Sequence, residues 1–137
     1  MVDANILISA ILFPQSIISE IVKHIIRNSK MILSQYTVDE VYKVFGRKFS
    51  HRINEMESFM EKLPYELFSR KETSIKKYPN IRDINDVPVL KDVIESNVDI
   101  FITGDKDFED IKIRTPKIMK PGKYFEEYIT GENLRKR

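Results

Sequence analysis

The run Ile100-Phe101-Ile102 is apolar at every position and has no face to show to water. A strand of that kind belongs in a sheet covered on both sides, the usual state of parallel sheets. The rest of the chain alternates short apolar runs with helical stripes. Residues 16–28 place Ile17, Ile18, Ile21, Val22, Ile25 and Ile26 on one stripe. Residues 37–48 do the same with Val38, Val41, Tyr42 and Phe45, and residues 54–63 with Met56, Phe59, Met60 and Leu63, where Pro64 stops the helix. Residues 86–97 carry Val89, Leu90, Val93 and Ile94 at helical spacing. Short strands are expected at 1–7, 31–34, 65–69, 99–103 and 117–119, and a last helix at 121–128. Strands alternating with helices predict a three-layer α/β/α fold around a central, mainly parallel sheet of about five strands.

The 137 residues suit one domain, expected over 1–130, with a basic and flexible tail at 131–137. Cysteine is absent, which excludes disulfide scaffolds, thiolate zinc sites and cysteine nucleophiles. Only His24 and His51 are present, too few for a multi-histidine metal site. No apolar run reaches the roughly 20 residues of a membrane span, and no basic-then-apolar leader opens the chain. A soluble, cytoplasmic protein is expected.

The net charge of +2 hides a segregation. Seven of the nine aspartates lie between Asp83 and Asp110, where nine acids face two lysines. The stretches on either side, 41–82 and 111–137, are each +5. Such a pattern is either a solvated acidic face or a carboxylate metal site framed by basic surface for a polyanion. Position favours the second. In open α/β sheets, sites gather beyond the carboxyl ends of the strands. That edge collects Asp3 and Asn5 after the first strand, and Thr103, Gly104, Asp105 and Asp107 after the 99–103 strand. Asp86 opens the helix that leads into that strand, and Glu40 sits early in the helix that follows residues 31–34. Carboxylates gathered without Lys or Arg repel one another and must protonate or share a cation. Oxygen-only ligands select Mg²⁺ or Mn²⁺, and the chemistry that suits such a site is phosphodiester hydrolysis.

Each residue also has a purely structural reading. Asp3 can turn the chain after a strand. Thr37 and Glu40 match the Thr-x-x-Glu capping box. Asn85 or Asp86 can cap a helix with Pro88 in its first turn. Gly104 to Asp107 can be a plain turn.

Four segments, VDANILISAILFP from Val2, TVDEVYKV from Thr37, DINDVPVL from Asp83 and DIFITGDKDF from Asp99, resemble the PIN-domain family. The similarity runs in order from Val2 to about Tyr128 and is greatest to the toxin components of prokaryotic toxin–antitoxin pairs (VapC-like). The resemblance implies a metal-dependent endoribonuclease with Mg²⁺ or Mn²⁺ as cofactor, an RNA substrate, a homodimer and a cognate antitoxin protein. It places the acidic residues at Asp3, Glu40, Asp86 and Asp105, with Asp107 as a fifth carboxylate and Asn5 and Thr103 in support. Asp3, Asp86, Asp105 and Asp107 would hold the metal, and Glu40 would bind it or orient the attacking water. Lys43, Arg47, Lys48 and Arg52 are the expected contacts for RNA phosphates, although a basic run is equally a solvated helix face. Two departures accompany the likeness. Only Met1 and Val2 precede Asp3, so the first strand is short or the start lies upstream, and Pro88 stands in the first turn after Asp86.

Two other functions fit parts of the pattern. A PIN-like module without turnover would bind RNA or a protein. A phosphotransfer domain would use Asp3 as phospho-acceptor, but it needs a lysine at a neighbouring strand end, and neither 31–34 nor 99–103 ends in one.

Overall fold

The computed structural model describes residues 1–71 and 78–131. Residues 132–137 of the tail expected over 131–137 lie outside them, as do Lys76 and Lys77 of the basic stretch 41–82. Helix α1 (Ala4–Leu12) follows directly on Asp3, whose side chain accepts from the Ile6 amide and caps it. This corrects the strand expected over 1–7. The sequence ANILISAIL is apolar nearly throughout, so it shows no helical contrast, and the cap decides the outcome. Helix α2 (Ile17–Asn28) is capped by Ser16 and turns through 113° from α1. Strand β1 (Ile32–Ser34) leads into α3 (Gln35–Lys48), then α4 (Ile53–Lys62) and β2 (Glu66–Phe68). After a single 3-10 turn at Ile84–Asp86 come α5 (Val87–Glu95) and β3 (Ile100–Ile102). Another such turn at Lys106–Phe108 precedes β4 (Lys117–Met119) and α6 (Pro121–Tyr124), which continues as a widened helix over Phe125–Thr130. Helix α5 stops short of residue 97 because Asn97 takes the left-handed conformation, φ 55°, that closes helices.

Strand β1 pairs parallel with β2, and β3 parallel with β4. Val2 adds a parallel bridge to Ile102, where the Ile102 amide donates to Met1 O at 2.9 Å. The parallel order is as expected, but one sheet of five strands is not formed among the described residues. Three-residue strands, and a first segment cut off at Asp3 by its helix cap, leave two two-stranded sheets plus that bridge.

Alternation along β3 splits the core. Ile102 joins a large cluster with α1 to α4, while Phe101 joins Leu90, Val93 and Phe108 under α5. Two residues expected inward are not: Tyr42 is 44% and Ile17 57% exposed, each at the margin of its stripe. Among the described residues no single helix is long and apolar enough to cross a membrane.

Candidate active site

The carboxyl ends of Val2, β1 and β3 open on one cavity of about 200 Å³. Asp3, Glu40, Asp86 and Asp105 line it, together with Asn5 and Tyr36. None of its lining residues is a lysine or arginine.

Asp3 is held at both oxygens. Oδ1 accepts from the Ile6 amide at 3.0 Å, where the positive end of α1 favours an anion. Oδ2 accepts from the Thr103 hydroxyl. Burial pushes the Asp3 carboxyl above its usual range, the Thr103 and Ile6 hydrogen bonds oppose that, and the charge of Asp105 adds to it. Thr103 is 2% exposed, and its Oγ1 also accepts from the Asp105 amide at 3.1 Å. One hydroxyl therefore fixes the spacing of two acids. Asp105 Oδ1 in turn accepts from the Asp107 amide at 2.9 Å, which fixes the turn after β3.

Asp86 stands where the 3-10 turn passes into α5. The Asp83 side chain accepts from the Asn85 amide at 2.9 Å and shapes that turn, the role the sequence offered to Asn85 or Asp86. Asp86 is left to face the cavity, and its Oδ2 is buried with no hydrogen-bond partner. Burial, then the charge of Asp105, the close approach of Asp107 and the charge of Asp83 push its pKa up to about 6. Carboxylate oxygens of Asp83, Asp86 and Asp107 lie within 4.8 Å of one another. Asp107 also meets Arg82, Nε to Oδ1 3.0 Å, a side chain that is 88% exposed.

Glu40 reaches the site because the cap of α3 lies one turn earlier than the sequence suggested. Ser34 Oγ accepts from the Thr37 amide at 3.0 Å, so Ser34 and not Thr37 is the cap. The capping box is not formed, and Glu40 lines the cavity from the second turn.

Asn5 lines the cavity, and among the described residues no hydrogen bond joins its side chain to a carboxylate. Lys43, Arg47, Lys48 and Arg52 do not line it. Lys43 and Arg47 continue the stripe of α3 that carries Tyr36 and Glu40, so both lie within about 11 Å of Glu40 along the helix axis. Arg52 is engaged elsewhere: it pairs with Glu55 at 2.8 Å and donates to Leu12 O at 3.4 Å, closing the end of α1.

Sequence reasoning passed over Tyr36 and Asp83 as site residues. The Asp-x-x-Asp spacing of Asp83 and Asp86 was visible as a signal. Tyr36 carried none, since its place depends on where α3 begins. Its phenol is pushed up by burial and by the charges of Glu40 and Asp86, so it stays a hydrogen-bond donor.

The donor set is all oxygen, it contains an unpartnered buried carboxylate oxygen, and no lining cation balances it. Those features fit a hard divalent cation. None of the curated proteins compared with the chain matches it. Among family models, that of the PIN domain matches residues 1–107, ending at Asp107 rather than at Tyr128. PIN domains are generally nucleases that use a divalent metal. The match takes in all the acids of the cavity and most of the 137 residues, and on it the chain belongs to the PIN domain family.

Proposed function

We propose that the protein is a metal-dependent endoribonuclease and the toxin of a toxin–antitoxin pair. The observation that carries this reading is the cavity itself, in which Asp3, Glu40, Asp86 and Asp105 meet without a balancing cation and Asp86 Oδ2 is left unpartnered. Asp3, Asp86, Asp105 and Asp107 would hold Mg²⁺ or Mn²⁺. When bound, the ion supplies charge that neutralises the phosphate and acidifies the attacking water. Glu40 would accept the proton of that water, and the Tyr36 phenol can donate to a phosphate oxygen at the mouth of the site. Water adds at phosphorus, the bond to one ribose oxygen breaks, and the products are a phosphate monoester and a free hydroxyl. Thr103 keeps Asp3 and Asp105 in register throughout. A second copy of the chain and an antitoxin protein are the partners this role implies, and the toxin-like segments from Val2 to Phe108 support it.

The test is cleavage of a labelled RNA with Mg²⁺ or Mn²⁺ and with chelator. Products are expected only with metal, and Asp105→Asn should abolish them while its circular dichroism matches the parent. Cleavage in chelator, or by Asp105→Asn at the parent rate, overturns the reading. Tight RNA binding indifferent to Mg²⁺, with no products, would instead identify a binding module. For the toxin role, induced expression should arrest growth, and Asp105→Asn should not.

A further inference from the structure

A second cleft opens on the other side of Asp105. It encloses about 410 Å³, about twice the acid cavity. Asp105 and Phe108 line both, so the two spaces adjoin through a single carboxylate. Beyond Asp105 the character of the wall changes. Ile111, Ile113 and Ile118 supply apolar surface, and Arg114, Lys117 and Lys120 supply cations. Lys120 is paired with Glu109, and Lys117 with Glu127 at 3.5 Å. Arg114 is exposed and forms no ion pair among the described residues. The volume is in the range that accepts a small organic group.

This pairing of surfaces is what a nucleotide needs. Its base presents a flat, weakly polar face, and its phosphate seeks a cation that no carboxylate already occupies. We propose that the cleft is the subsite for the nucleotide next to the scissile phosphate. The base lies against Ile111, Ile113 and Ile118, and the flanking phosphate meets Arg114. This rests on the nuclease reading, since it sets the direction in which RNA leaves the acid cavity. It also gives the basic stretch after residue 110 a task that the +2 average conceals.

The experiment pairs two variants with two substrates. Arg114→Ala should raise KM for a short RNA about tenfold, leave kcat within about twofold, and lower the slope of log KM against log salt by about one. In the parent, an abasic residue on one side of the scissile phosphate should raise KM, and in Ile113→Glu that penalty should vanish. The metal-induced rise in Tm should be unchanged in both variants, which separates a lost subsite from a lost fold or metal site. A parent-like KM and salt slope in Arg114→Ala, or an abasic penalty that persists in Ile113→Glu, overturns the proposal. Should the parent cut no RNA, the nuclease reading fails and anisotropy of a fluorescent hexanucleotide decides this one. A Kd about tenfold weaker in Arg114→Ala supports the subsite, and an unchanged Kd overturns it.

Discussion

Asp86 and Asp92 belong to the same helix region, both are drawn out of water, and burial pushes both carboxyls up. Their neighbours differ. Asp92, 6% exposed within α5, faces Arg70 at 3.6 Å, and Arg70 also donates to Pro88 O at 3.3 Å. That arginine ties the segment after β2 to the first turn of α5 and opposes the rise at Asp92. Asp86 is surrounded instead by Asp83, Asp105 and Asp107. An acid that serves the fold carries its cation within the chain, whereas one whose neighbours are all acids leaves the balance to something that binds. Arg82 on Asp107 is the nearest exception, and it sits almost wholly in solvent.

The largest expected effect falls on the uncompensated side. Asp3→Asn keeps the cap on α1, because asparagine caps about as well as aspartate. It removes one negative charge from the cavity. Turnover should fall at least about 100-fold in a single-turnover RNA assay, with Tm within a few degrees of the parent. Asp92→Asn in the same assay should cut at the parent rate per folded molecule. A loss shared equally by the two variants would erase the distinction between the two acids.

Next comes the compensated side. Arg70→Ala leaves a carboxylate in a largely apolar setting without its partner. Breaking a fully buried pair costs about 3–5 kcal/mol, and the partial exposure of Arg70 brings the expected loss here to about 2 kcal/mol. Urea melts should show it as a lower midpoint at unchanged slope. The Mn²⁺-induced rise in Tm should survive.

Thr103→Val sharpens the contrast from within the site. The side chain keeps its shape and loses both the donation to Asp3 and the acceptance from the Asp105 amide. Removing such an orienting group should weaken Mn²⁺ binding about tenfold by calorimetry. An unchanged affinity would mean that the acids hold their spacing without it.

How much of this was readable beforehand follows from the same physics. Helix α2 was legible because Ser16 caps a stripe with strong polar contrast. The 99–103 strand was legible because nothing in it is polar between its ends. Asp3, Glu40, Asp86 and Asp105 could be placed at one edge because chain order and parallel topology fix which end of a strand a residue follows. Helix α1 was not legible, since an apolar run without contrast fits strand or helix. The Ser34 cap was missed because Thr37 and Glu40 offered a competing pattern three residues on, and with it went Tyr36. The size of the sheet was overestimated because the 1–7 run was counted as a strand, whereas the helix cap at Asp3 leaves only the Val2 bridge between the short strand pairs.

The smallest effect is also the one with a sign to test. In the folded protein Asp86 titrates at about 6, above the ordinary 3.8 of an aspartate. Its charge therefore opposes folding. The contribution is absent below about pH 4, where the carboxyl is protonated in both states. It grows as pH rises through about 6 and is constant above that. Asp86→Asn has no such term, so without metal it should be more stable than the parent above pH 6, by about 1 kcal/mol once solvent screening of this partly exposed group is allowed for. The gap should close towards pH 4. Mn²⁺ at neutral pH should reverse the order, raising the Tm of the parent and leaving that of Asp86→Asn nearly where it was. A variant less stable than the parent at every pH would show that Asp86 has a partner in the fold after all, as Asp92 does.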